Sequence, residues 1–177
     1  MSRSILCEKT VKYTRNSNQV PNLLDYANQQ RINGFLNDVQ LKAGQESVPA
    51  NRLVLACFSK HFQDKFKAQS NENNSLVIEG IDGQSLRTLI DYIYDGNIVI
   101  NNKTVFDLLT AAHKLKLTDV VNYCCEFLQS VIIYDSCLYV LNAAKLCGNN
   151  ALQQTAIQHV NEHFDKISLI RAFKELS

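Results

Sequence analysis

The stretch from Asn51 to Phe66, which reads NRLVLACFSKHFQDKF, constrains the fold more than any other part of the chain. Every residue from Leu53 to Phe58 is apolar. A surface helix has one polar face, so a run that is apolar on all sides predicts a short helix buried in the core. Ser59 can then cap a second helix, in which Phe62 and Phe66 lie one turn apart among polar residues. The pattern predicts a helical hairpin with one buried arm and one amphipathic arm, whose polar face a partner could bind.

A β-hairpin is predicted immediately before these helices. Residues 38–43 alternate between polar and apolar, which is typical of a half-buried strand. Gly44 and Gln45 form a turn, and a return strand from Glu46 to Val48 is expected to stop at Pro49. The predicted order is therefore strand, turn, strand, buried helix and amphipathic helix.

This order, and the residues that carry it, resemble the BTB fold, which is also called POZ. The matching positions are Asp38-Val39, Val48-Pro49-Ala50, Leu55-Ala56, Ser59 with Phe62, and the string Leu89-Ile-Asp-Tyr-Ile-Tyr-Asp-Gly96. The sequence departs from the family at Asn51, where a histidine is usual, and at His61, where tyrosine is frequent. The resemblance implies an α+β fold: a small mixed sheet capped by a cluster of helices.

The remaining patterns fit this fold. A short strand is predicted over 11–14, a helix from Pro21 to Gly34, a buried strand over 76–78, a helix from Gly83 to Gly96, a strand over 97–100, and helices over 104–115 and from Thr118. In the helix from Thr118, the side chains expected to be buried are Val121, Cys124, Cys125 and Leu128. The BTB domain is then predicted over residues 19–133, after an N-terminal segment of residues 1–18.

Two further helices are predicted after Ser136. Their inward faces are expected to be Leu138, Leu141, Ala144 and Cys147 in the first, and Leu152, Ala156, Val160 and Phe164 in the second. The string Ser136-Cys137-Leu138 resembles the entry to the BACK domain, whose first helix pair is called the 3-box. Residues 134–177 are therefore interpreted as an all-α extension, the 3-box or start of a BACK domain, as in BTB-BACK-kelch (kelch-like) proteins.

Composition excludes several classes of function. The hydrophobic content of 46% allows a sizeable core, and the net charge of +1 gives no reason to expect a nucleic-acid or membrane partner. The sequence shows neither a secretory signal nor an apolar run long enough to span a membrane. The six cysteines include no C-x-x-C pair and are expected to be reduced thiols. A cytoplasmic location is expected, with the nucleus as the alternative.

One string matches a catalytic motif. His159-Val-Asn-Glu162-His163 reads H-x-x-E-H, which occurs in zinc proteases. Such an enzyme also needs a third protein ligand in a sheltered cleft, and only Asp165 and Glu175 follow as carboxylates. The apolar stripe of the same helix already accounts for it as a packing helix. No catalytic, cofactor-binding or metal site is predicted.

The family resemblance implies a homodimeric adaptor that recruits the cullin-3 scaffold of a ubiquitin ligase, with the substrate bound by regions outside this chain. The implied dimer interface is Val11 and Tyr13, on a strand that pairs with the partner subunit's sheet, and Leu23, Leu24, Tyr26 and Ala27, on the helix from Pro21. The implied cullin-binding residues are His61, Phe62, Asp64, Lys65, Phe66, Ser70, Glu72, Leu117 and Asp119, together with the helix pair after Ser136. Two alternatives stay open: a transcriptional corepressor-binding module, and a structural or cytoskeletal adaptor that does not bind cullin.

The resemblance also implies a weak point in cullin binding. Kelch-like proteins of this type are similar in a hydrophobic-x-glutamate motif after the amphipathic helix, and the residues here are Ser70-Asn71-Glu72. Glu72 is present, but Ser70 replaces the apolar anchor. Cullin-3 binding is therefore predicted to be about tenfold weaker than in relatives that keep the anchor.

Overall fold

The computed structural model describes residues 9–14, 21–68, 74–133, 136–165 and 167. In chain order the described elements are β1 (Thr10–Thr14), α1 (Pro21–Ile32), β2 (Val39–Ala43), β3 (Glu46–Ala50), α2 (Arg52–Phe58), α3 (Lys60–Ala68), β4 (Ser75–Val77), α4 (Gly83–Asp95), β5 (Asn97–Asn101), α5 (Val105–Lys114), α6 (Thr118–Val131), α7 (Cys137–Cys147) and α8 (Asn150–Glu162). This is a mixed α+β fold with a helical extension, as the sequence predicted.

The larger sheet has the strand order β3-β2-β4, with β2 antiparallel to β3 and parallel to β4. Alternate residues of β2 are buried, as its apolar–polar alternation predicted. The expectation that the return strand stops at Pro49 was wrong, because β3 continues through Pro49 to Ala50. β3 is an edge strand, where a proline is tolerated because its missing N–H removes no bond to a further strand.

Helix α4 lies at the centre of the core. Asp82 caps its first turn by accepting a hydrogen bond from the Ser85 N–H at 2.9 Å, and Gly96 ends it with a φ of 73°. The side chains of Leu86, Leu89, Ile90 and Ile93 are fully buried, as their helical spacing predicted.

The helical extension packs on the end of the BTB-like region. Helix α7 contacts α5 and α6, and α8 contacts α6 and α7. The buried face of α7 is Cys137, Val140 and Ala144. Of the predicted face of α7, Ala144 is buried and Leu141 and Cys147 are half-buried, whereas the prediction was wrong for Leu138, which is exposed. In α8 Leu152 and Ala156 are buried as predicted, whereas Phe164, just beyond its end, is exposed.

Candidate functional site

Helix α2 corrects the main expectation drawn from its sequence. Of its six consecutive apolar residues only Leu55 is buried, whereas Leu53 is 76% exposed and Cys57 is also exposed. Leu53 and Cys57 lie one helical turn apart and therefore share one face. An all-apolar helix here has one side in the core and the other side open at the surface.

The exposed side of α2 forms one wall of an apolar groove, and α1 forms the other. The groove has a volume of about 580 Å³. Its α1 wall carries Leu23, Leu24, Tyr26 and Ala27, the four residues that the family resemblance assigned to the dimer interface. Leu23 is 68% exposed and Tyr26 is 56% exposed. A contiguous exposed apolar surface of this kind marks a protein-interaction site.

Sequence reasoning missed the other half of this groove. Its further apolar lining is Leu36, Leu53, Val54, Cys57 and Phe58. Leu36 has a φ of 60°, which is uncommon for a residue with a side chain, and its carbonyl accepts a hydrogen bond from Asn51 Nδ2 at 2.6 Å. The available signal was the continuous apolar run of α2, which was assigned entirely to the core.

A polar network beneath the groove fixes α1 and α2 relative to α4. The Tyr94 hydroxyl donates to Asn51 Oδ1 and accepts from the Asn51 N–H, both at 2.8 Å. Arg31 pairs with Asp91 at 2.6 Å, and its guanidinium lies 4.7 Å from the centre of the Tyr94 ring. Burial raises the pKa of Tyr94 to about 12, so its hydroxyl keeps its proton at neutral pH. Asn51, where the family usually has histidine, therefore has a structural role here.

The N-terminus of α2 is held by a residue of the α1–β2 loop. The Arg52 N–H donates to Asp38 Oδ1 at 2.7 Å, while Asn51, at the N-cap position, makes no side-chain cap. A carboxylate at a helix N-terminus satisfies a free N–H and interacts favourably with the helix dipole. This bond positions the exposed face of α2 against α1.

The other residues predicted for the dimer interface lie on β1. This strand pairs antiparallel with β5 of the same chain, with Val11 opposite Ile100 and Tyr13 opposite Ile98. Val11 and Tyr13 are half-buried, and the Tyr13 ring stacks on Tyr123 at 4.6 Å between centroids. They therefore pack on α6 and the core of their own chain here, whereas α1 packs on α4 and β3.

Helix α3 carries five of the nine predicted cullin-binding residues. It begins because the Phe62 N–H donates to Ser59 Oγ at 3.2 Å, as the N-cap prediction required. The Phe62 side chain is fully buried and stacks on Phe66 at 5.9 Å. Phe62 therefore supports α3 from the core side and offers a partner no surface, which corrects its assignment as a contact residue.

The outer face of α3 is polar and mostly cationic. Lys60 and Asp64 form a salt bridge at 3.1 Å, and the hydrogen bond from Lys60 lowers the pKa of the Asp64 carboxyl. Partial burial lowers the pKa of His61, and the neighbouring charges of Lys65 and Lys116 lower it further. His61 is consequently neutral at physiological pH and can both donate and accept a hydrogen bond.

The turn between α5 and α6 lies beside the α2–α3 junction, although the two are far apart in sequence. Ser59 Oγ donates to the Leu115 carbonyl at 2.6 Å, which joins the junction to the end of α5. A cavity of about 220 Å³ opens next to this bond, lined by Phe58, Tyr92, Lys116, Leu117, Thr118 and Asp119. The fold thus brings α3 together with the predicted Leu117 and Asp119. Ser70 and Glu72 lie outside the described residues.

The thiols of α6 and α7 and the H-x-x-E-H string lie outside these two surfaces. Burial raises the pKa values of Cys124, Cys125 and Cys147, so these thiols are poor nucleophiles at neutral pH. The donor atoms of His159, Glu162 and His163 lie within 4.8 Å of one another. Among the described residues, no helix has the length and apolar character needed to cross a membrane.

Comparison with known proteins gives concordant matches. The family model for the BTB/POZ domain matches residues 27–131. Kelch-like protein 3 of Homo sapiens is 36% identical over 152 residues, which cover 85% of this chain and 26% of the relative. Kelch-like protein 2 of Rattus norvegicus is 33% identical over 171 residues, which cover 96% of this chain and 29% of the relative. The chain therefore spans little more than a quarter of the length of these relatives.

Among solved structures, the BTB domain of zebrafish PATZ1 is similar, with 30% sequence identity and a TM-score of 0.59. The match covers 66% of this chain and 99% of that domain. The kelch-like match therefore extends over more of the chain than the match to this isolated domain.

Proposed function

This chain belongs to the BTB/POZ family, and from that premise we propose that it is a non-enzymatic, homodimeric adaptor that recruits the cullin-3 scaffold of a ubiquitin ligase. The observation that carries the proposal is the apolar groove between α1 and α2. A two-fold dimer uses the same patch on both subunits, so an exposed apolar groove can be covered by its own copy. The sequence similarity to Kelch-like proteins 2 and 3 supports the cullin-3 part of the proposal.

In the proposed dimer, the α1 and α2 walls of one subunit pack against those of the other. Leu23, Tyr26 and Leu53 each lose most of their exposed area in such an interface, and burial of apolar area is the main favourable term in association. The prediction that β1 pairs with the partner's sheet stays a prediction. The β1–β5 register found within one chain, with Val11 opposite Ile100, is the register that an exchanged strand would adopt.

The proposed cullin-binding surface is the outer face of α3 together with the α5–α6 turn. Its polar side chains include the half-buried His61 and the exposed Asp64 and Lys65, and the adjacent cavity has a mixed apolar and polar lining that can receive one partner side chain. A partner helix with an apolar anchor and polar flanks fits a surface of this kind. Helices α7 and α8 extend the domain on the side of α5 and α6, where we propose that they act as the 3-box.

The test of this surface is calorimetric titration with the purified N-terminal domain of cullin-3. We expect Lys65→Glu to weaken binding about tenfold or more, since a reversed charge opposes the partner's complementary groups. Lys103→Glu, a charge reversal in the exposed turn before α5, is the matched control and should bind as the wild type does. Equal affinities for wild type and Lys65→Glu would remove α3 from the interface.

A second experiment tests the effect of Ser70, which stands where kelch-like proteins of this type have an apolar residue. Ser70→Met should strengthen cullin-3 binding, because a desolvated apolar side chain is worth about 1.5–3 kcal/mol. Glu72→Ala should weaken it. If the wild type does not bind cullin-3 and Ser70→Met restores no binding, the chain is instead a structural adaptor that does not bind cullin.

Removal of residues 134–177 tests the proposed 3-box. The truncated chain should remain a folded dimer but bind cullin-3 more weakly, whereas unchanged affinity would show that α7 and α8 lie outside the interface. This extension also separates the proposal from the corepressor alternative. The match to Kelch-like protein 2 covers 96% of the chain, more than a BTB domain alone accounts for.

A dimeric adaptor of this type would hold two cullin-binding surfaces in one complex. Since the chain spans little more than a quarter of its curated relatives, we propose that the substrate is bound outside it. Two linked sites raise the effective local concentration of the second binding event, so the dimer would favour multivalent substrates. Identifying proteins captured by the full-length protein, but not by this chain alone, would test the division of roles.

A further inference from the structure

The last turn of α8 carries three side chains of metal-binding chemistry that the adaptor function does not use. His159, Glu162 and His163 occupy positions i, i+3 and i+4, which fall on one face of a helix. One donor atom from each lies within 4.8 Å of the others, and the two imidazole rings are 6.1 Å apart between centroids. His159 and His163 are half-buried, while Glu162 is exposed.

Two imidazole nitrogens and one carboxylate oxygen are a donor set that suits Zn²⁺ and related transition metals. Zinc ligands bind at about 2.0–2.2 Å, so donors around one ion lie about 3–3.5 Å apart. The three side chains therefore need only small rotations to close on an ion. The carboxylate is already oriented, because Glu162 Oε1 accepts a hydrogen bond from Gln158 Nε2 at 2.7 Å.

Two independent features of the same turn favour a cation here. Nδ1 of His159 is enclosed by the protein and has no hydrogen-bond partner within the described part of the chain, although buried polar atoms normally have one. Coordination through this nitrogen would give it a partner. The turn is also the C-terminal end of α8, with His163 at the C-cap position, where the helix dipole attracts positive charge.

We propose that His159, Glu162 and His163 form a three-ligand site for a divalent transition-metal ion of the Zn²⁺ class. All three side chains coordinate the ion, and its remaining position is open to water or to a donor from another molecule. This differs from a zinc protease, in which the glutamate of the motif is the general base and a further protein ligand completes the site. The bound ion cross-links the three side chains of the last turn of α8 and thereby stabilises this end of the helical extension.

The test is Zn²⁺ affinity of the full chain, measured under reducing conditions by competition with a fluorescent chelator. Wild type should bind one ion per chain through this site, and His159→Gln and His163→Gln should each weaken that binding at least tenfold, since loss of a ligand exceeds the 10–100-fold effect typical of its supporting contacts. His113→Gln is the control, because His113 is also a histidine in the last turn of a helix. Equal affinities for wild type, His159→Gln and His163→Gln would overturn the proposal.

A spectroscopic measurement separates this site from the cysteines. Co²⁺ bound by imidazole and carboxylate gives visible d–d bands without the near-ultraviolet charge-transfer band of a cobalt–thiolate bond. We expect this thiolate-free spectrum in the wild type and its loss in the His159→Gln/His163→Gln double variant. A thiolate band that persists in the double variant would assign the metal to cysteine and refute the site. Circular dichroism of each variant verifies that α8 is retained.

Discussion

Replacing Leu53 by alanine tests whether the α1–α2 groove is a dimer interface. Leu53 is 76% exposed in the single chain, so the substitution removes apolar surface without opening a cavity in the core. Full burial of a leucine side chain is worth about 1.5–3 kcal/mol. Because alanine keeps part of this area, we expect a loss of about 1–2 kcal/mol per subunit.

The two-fold symmetry doubles this effect. Each dimer contains two copies of Leu53, so association should weaken by about 2–4 kcal/mol, or roughly 30- to 700-fold in Kd. Light scattering of the wild type at micromolar concentration should give about twice the 20.0 kDa chain mass. Sedimentation equilibrium over a concentration series should then show Leu53→Ala dissociating at much higher concentrations, with an unchanged unfolding midpoint for its monomer.

Leu146→Ala is the matched control, since Leu146 is a half-exposed leucine on α7, outside the groove. It should leave the dimer Kd unchanged. A monomeric wild type, or equal Kd values for the wild type and Leu53→Ala, would refute the assignment of the groove. Equal weakening by both substitutions would instead indicate a general effect of surface leucines.

Three further predictions concern stability and ionisation. Ser59→Ala should lower the free energy of unfolding by about 2 kcal/mol in urea titration, because it removes an N-cap and leaves the Leu115 carbonyl without its donor. Tyr94→Phe should lower it by about 1–2 kcal/mol by leaving the Asn51 side chain and N–H without the hydroxyl, and a change below 0.3 kcal/mol would contradict the network. NMR titration should give His61 a pKa below the usual value of about 6.5. With this lowered pKa, the unfolded chain binds the His61 proton more tightly than the folded chain does. The free energy of unfolding should therefore fall as the pH drops below about 6.5, and His61→Gln should make this fall smaller.

Elements whose buried face belongs to one chain could be predicted from the sequence in detail. In β2 the alternation of side chains, and in α4 the spacing of Leu86, Leu89, Ile90 and Ile93, match the burial that the structure shows. Gly96 ends α4 as predicted, because a left-handed glycine acts through local geometry, whereas the cap by Asp82 was not predicted although it is also a local feature. Periodicity and capping depend on neighbours in sequence, so one sequence is enough to read them.

Faces that depend on distant elements could not be predicted to the residue. In α7 the predicted stripe began at Leu138, but Cys137, Val140 and Ala144 are the buried side chains. The two stripes share Ala144, and Leu141 and Cys147 of the predicted stripe are half-buried, so the buried face is rotated by only part of the roughly 100° that separates successive residues. The orientation of α7 is set by its contacts with α5 and α6, and a single sequence does not specify those contacts.

The α1–α2 groove also shows that the sequence alone does not determine which surface covers an apolar face. The run from Leu53 to Phe58 predicted burial on all sides, yet in the single chain only Leu55 is buried, and Leu53 and Cys57 are open to solvent. The hydrophobic effect favours removing an apolar surface from water, but it does not determine whether the same chain or another molecule covers that surface. If the proposed dimer covers this side, the prediction of burial holds for the assembly although it fails for one chain. An apolar helix with one side in the core and the other side exposed is therefore itself an argument for a partner.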